Sequence, residues 1–187
     1  MRKRVHTSKF WKAWRFGHKA RVQRNVKDRL FRFLFVNDKE ALLQLYNALN
    51  GTDYHDVSQL QVVTLENAVY VVMKNDLAFV LSGTLNMYEH QSTYNPNLPV
   101  RFLIYLAQEY QAMIEQAAES IYGTGQIMLP APQCIVFYNG QGEMPEEQIL
   151  SLSDAFGDKK DKTDVELTVR IYNINYGHNP VLLEKVS

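Results

Sequence analysis

The sequence predicts an α/β protein, with a mixed central sheet flanked by helices. Three observations predict it. Apolar residues recur at helical spacing over 26–35, 39–49 and 99–120. Between the second and third helices lie four short runs of strand length, 61–65, 69–73, 77–81 and 85–91, which read as a meander. After the third helix, 133–138 is apolar without alternation, as in a strand covered on both faces. At 187 residues the chain fits one domain and can bury a core.

Residues 1–24 form a basic, aromatic arm, distinct from the 25–187 domain. Phe10, Trp11, Trp14 and Phe16 are interleaved with Lys9, Lys12, Arg15, Lys19 and Arg21. Stacking on bases and neutralising phosphates uses both residue types, so Lys12 and Arg15 are candidate nucleic-acid contacts. A membrane-surface helix or a solvated arm has the same composition, and these readings stay open. The formal net charge is zero, yet twelve of the twenty Lys and Arg lie at or before Arg32, with Asp28 the single acid there. A basic arm on an acidic body is a common way to hold a polyanion.

The next helices carry Leu30, Phe33 and Leu34, then Leu42, Leu43, Leu45, Tyr46 and Leu49. Asn37 is the expected N-cap, with Glu40 three residues on as its capping-box partner, and Asn50-Gly51 is the expected stop. The meander follows, its last two strands joined at Ser82-Gly83-Thr84 as a hairpin. Residues 93–99, with Pro96 and Pro99, turn the chain into a long helix. Its predicted buried stripe is Val100, Leu103, Ile104, Ala107, Tyr110, Ile114 and Ala117. Pro130 and Pro132 break the chain before the unalternated strand, which Asn139-Gly140 stops. Residues 153–164 read as a charged loop and 165–174 as an alternating strand. Asn175 to Asn179 turns, and Pro180 starts an apolar period that stops at Ser187, so a truncated form of a longer architecture is the expectation.

Bulk composition narrows the setting. Hydrophobic residues at 46% and charged residues at 21% are ordinary for a soluble domain. Cys134 sits in the apolar strand and reads as a buried thiol, compatible with a reducing cytoplasm. Neither a membrane span nor a secretory signal is expected.

The chemistry concentrates on the hairpin. Asp76 precedes one strand, and Glu89 and Gln91 end the next, on one face because side chains alternate with period two. Folding at Gly83 brings Asp76 level with that end, at one sheet edge. Two carboxylates and an amide are a ligand set for a hard divalent cation, although edge-strand charges that deter aggregation would look the same. His90 points to the other face and reads as a core histidine. Arg101, one turn into the long helix, is either a phosphate clamp or the partner of an acid, and Tyr105 lies one turn further along that face.

Residues 74–105 (KNDLAFVLSGTLNMYEHQSTYNPNLPVRFLIY) resemble the recombination-promoting nuclease (Rpn) and transposase group of the PD-(D/E)XK nuclease superfamily. So do DRLFRFLF, LLQLYNALNGTDY, VFYNG and VRIYNINYGHN, so the likeness runs from about Asn25 to the end. The EHQST segment followed by NP is its most specific part. The resemblance implies a restriction-endonuclease-like fold and a Mg²⁺-dependent DNA endonuclease (Mn²⁺ being the substitute), linked to recombination or transposition. Asp76 and Glu89 would hold the metal, Glu40 would be a third carboxylate if not simply a cap residue, and Gln91 would orient water or phosphate. Gln91 stands where the superfamily usually has lysine, as in the Rpn-like group, so slow or conditional cutting is expected. DNA is the implied partner and a homodimer stays open. The rival reading is a nuclease-derived module that binds nucleic acid or protein without chemistry.

Overall fold

Helix α1 (Lys39–Asn50) buries Leu42, Leu43, Leu45 and Tyr46, the face its apolar period predicts. The computed structural model in which it is seen describes residues 38–63, 77–157, 163–180 and 182. The cap is Asp38, not Asn37: its carboxylate accepts the Ala41 N–H at 2.9 Å. With the cap moved by one residue, Glu40 falls in the first turn, exposed, and the capping box is lost. Gly51 ends the helix in the left-handed region at φ 64, as its lack of a Cβ allows.

Strands β1 (Gln61–Val62), β2 (Leu77–Leu81) and β3 (Thr84–Gln91) pair antiparallel in that order. Ser82 and Gly83 both have positive φ, 50 and 75, as a type I′ hairpin turn demands. That turn sets the register, from Leu81 opposite Thr84 to Leu77 opposite Tyr88. The expected strand at 69–73 lies outside the described residues.

Helix α2 (Leu98–Gln116) then crosses back, with Pro99 in its first turn, to β4 (Ala131–Tyr138), which lies parallel to β3. Among the described residues, strands β5 (Glu147–Ser151) and β6 (Thr168–Asn173) bring the sheet to six strands, in the order β1-β2-β3-β4-β6-β5. β6 is parallel to β4, and β5 is antiparallel to β6 on the far edge. The sheet is therefore mixed, as expected. The meander, expected in the middle of the sheet, fills one side of it instead, and β3 and β4 are the central pair. β5 was not foreseen, and the expected strand at 165–174 shortens to Thr168–Asn173.

Alternation along these strands makes two cores. Leu77, Phe79, Leu81, Tyr88, Ile135 and Phe137 pack under α1 on one face. Ala78, Leu85, Met87, Cys134, Val136, Val169 and Ile171 pack under α2 on the other. Helices thus cover both faces. The buried residues of α2 are Leu98, Pro99, Phe102, Tyr105 and Glu109, so its inward stripe differs from the predicted one. Val100, Leu103 and Ile104 are only half-buried, and Ala107 and Ala117 are exposed.

Candidate active site

Strand β3 delivers Glu89 and Gln91 to its carboxyl-terminal end on the α2 side, since Leu85 and Met87, in phase with them, belong to the α2 core. The two side chains meet: Gln91 Nε2 donates to Glu89 Oε1 at 2.8 Å. Helix α2 begins at the same end of the sheet and contributes the third group. Arg101 Nη2 donates to that same Glu89 oxygen at 2.6 Å, a charge-assisted bond between side chains 31% and 6% exposed. The acid-partner alternative for Arg101 is the one realised in this structure.

Tyr105, one turn on, also holds the guanidinium, sharing the Nη2 that reaches Glu89. Its hydroxyl accepts from Arg101 Nε at 3.3 Å and from Nη2 at 3.1 Å, and Arg101 Cζ lies 5.9 Å from the ring centroid. Burial works against the charge of Arg101, but the Glu89 carboxylate and the Tyr105 hydroxyl outweigh it, and the pKa moves above its ordinary value.

Glu89 is thus buried, yet not in an apolar interior: an amide and a guanidinium touch its carboxylate, and the guanidinium reaches solvent. Its strand is paired on both sides, with β2 and β4, so the edge-strand explanation for its charge falls away, and so does the expectation that the site lies at a sheet edge. The carboxyl ends of parallel strands are where open α/β sheets place ligands.

Other candidates stand elsewhere. His90 is 3% exposed on the α1 side of the sheet, where the alternation puts it. Glu40 is exposed on α1, which packs on the sheet face away from the Glu89 side chain. Asp76, Lys12 and Arg15 lie outside the described residues. Among the described residues no three His, Cys, Asp or Glu side chains stand close enough to hold a metal ion. What the donor set offers in this structure is one buried carboxylate, with hard oxygens of the kind Mg²⁺ takes, to which the Gln91 amide donates. Arg101 already sits against that carboxylate, so a metal ion would compete with it for Glu89.

Comparison of the chain with protein-family models, curated proteins and solved structures finds no match. Among the described residues no helix is long and apolar enough to cross a membrane.

Two features were missed in the sequence. Glu109, one turn beyond Tyr105, is 1% exposed, its Oε1 has no hydrogen-bond partner among the described residues, and burial pushes its pKa up to about 7. At the carboxyl ends of β4 and β6, Glu146 binds His178 Nδ1 at 2.9 Å, while Asn179 donates from its side chain to the carbonyls of Glu146 and Asn173. This clip extends the polar rim away from Glu89: Asn175 Nδ2 donates to the Gly140 carbonyl, and the Asn139 N–H donates to that of Gln91. Glu146 and His178 are 32 residues apart, a separation that carries no periodic signal.

Proposed function

We propose that the chain is a Mg²⁺-dependent DNA endonuclease on a restriction-endonuclease-like core, of the type linked to recombination or transposition. The observation that carries this reading is the Glu89, Gln91 and Arg101 cluster, a buried carboxylate with a polar neighbour and a guanidinium paired to it at the carboxyl end of a central strand that runs parallel to β4. Asp76 is included through its place in the chain. It precedes Leu77, which pairs with Tyr88, and Tyr88 precedes Glu89. One peptide unit spans about 3.8 Å.

Bound at Glu89 and Asp76, the metal would polarise the scissile phosphate and lower the pKa of its water. Arg101 supplies a planar set of N–H donors suited to phosphate oxygens, held in place by Tyr105. Gln91 orients a water or donates to a phosphate oxygen, but it carries no charge, so it stabilises an anionic transition state less than lysine would. Slow turnover follows from that substitution.

The test is plasmid nicking in Mg²⁺. Wild-type protein nicks, while Asp76→Ala and Glu89→Gln lose at least about a hundredfold, in the range seen when a charge-stabilising group is removed. Equal nicking by wild type and variants would sink the proposal.

A second reading is favoured by one observation: Glu89 is already neutralised within the protein, by Arg101. On that reading the chain is a nuclease-derived module that binds nucleic acid or a partner protein without chemistry. DNA retention without nicking, together with Mn²⁺ binding no stronger than that of Glu89→Gln, would establish it.

A further inference from the structure

We infer that Arg101 is a shared cation that couples metal binding to DNA binding: it sits on Glu89 in the resting protein and passes to a DNA phosphate when a divalent ion takes the carboxylate. The inference rests on the nuclease reading and concerns how that same site is regulated.

The geometry supports it on three counts. First, the Glu89–Arg101 bond is short, at 2.6 Å, and a second cation on the same carboxylate would stand within about 4–6 Å of the guanidinium, where like charges repel. A metal must therefore displace Arg101 or bind weakly. Second, the two partners differ in exposure. The Glu89 side chain is 6% exposed and held by Gln91 on a central strand, whereas Arg101 is 31% exposed, on a helix. The arginine is the group that can move. Third, it has a second anchor. Tyr105, on the same helix one turn away, accepts from Nε and Nη2, so Arg101 can leave Glu89 while its guanidinium stays at the rim. A guanidinium has five N–H donors, enough to keep Tyr105 and grip a phosphate together.

Each ligand then removes a cost from the other. The metal frees Arg101 for phosphate, and the phosphate draws Arg101 off Glu89. By linkage the effect is reciprocal, and such couplings run from roughly 5-fold to 150-fold.

The experiment is calorimetric titration of the full chain with Mn²⁺, alone and with a short uncleavable phosphorothioate duplex. In the wild type the duplex should tighten Mn²⁺ binding roughly tenfold. Arg101→Gln should bind Mn²⁺ more tightly without DNA by a similar factor, and the duplex should then tighten it less than in the wild type, by what a direct metal–phosphate contact alone supplies. Arg101→Lys, which keeps a positive charge, should stay near the wild type without DNA. If Arg101→Gln binds Mn²⁺ no tighter than wild type while Glu89→Gln loses it, the coupling is wrong and the nuclease reading stands. Equal Mn²⁺ binding by wild type and Glu89→Gln overturns that reading itself. Should Arg101→Gln fail to fold, Arg101→Ala in its place must show the same gain in Mn²⁺ affinity without DNA, and an unchanged Mn²⁺ affinity of the wild type on adding duplex rejects the coupling.

Discussion

Glu109 shows how a single buried group sets a pH dependence. Its carboxyl, 1% exposed under α2, has its pKa raised by burial from 4.5 to about 7. The folded state thus holds the proton more tightly than the unfolded chain. Its contribution is fully present below about pH 4.5 and is lost as pH rises through 7, amounting to roughly 3 kcal/mol. Glu109→Gln should therefore raise the urea midpoint at pH 8 and change it little at pH 4.5; equal shifts at both pH values would refute the assignment. Such a residue is hard to see in advance, because a carboxylate is not expected on a buried helical face. Glu89 and Gln91 were legible, since alternation alone puts them on one side of the strand. The choice between phosphate and carboxylate as the neighbour of Arg101 was not, because it depends on how α2 lies across β3.

The elements were read better by position than by orientation. Helix α1, the hairpin and β4 lie where apolar period and turn residues put them. Helix α2 was located, but its inward face was not. Its first three turns, LPVRFLIYLAQ, carry apolar residues almost all round, so periodicity leaves the rotation of the helix undetermined. Contact with Leu85, Met87 and Val136 settles it, turning Phe102 and Tyr105 inward. Phe102 is fully buried and Ile104 only half-buried. Phe102→Ala should accordingly cost about 3–5 kcal/mol in a denaturant titration, and Ile104→Ala less than about half of that. Comparable losses at the two positions would put the helix back in the predicted phase. β5 was missed because its exposed residues and half-buried Gln148 give a weak alternation, and its pairing with β6 is what makes it a strand.

At the scale of the whole molecule, charge is divided along the chain. From residue 33 onward eight Lys and Arg face nineteen Asp and Glu, so the body repels a polyanion at long range. We expect deletion of residues 1–24 to leave the thermal midpoint within a few degrees and to abolish DNA retention at moderate salt. Retention that survives the deletion with the same salt slope would assign binding to the body alone. The amino-acid order by itself determined the α/β class, the hairpin, the shared face of Glu89 and Gln91 and the charged arm. Each of these follows from spacing within a few residues, which local sterics and burial enforce. Only the tertiary structure decided that β3 is central rather than at an edge, that Arg101 closes on Glu89, that α2 turns Glu109 inward and that Glu146 meets His178. Those facts join residues from 12 to 32 positions apart or fix the rotation of a helix, and packing between elements, not local preference, sets both.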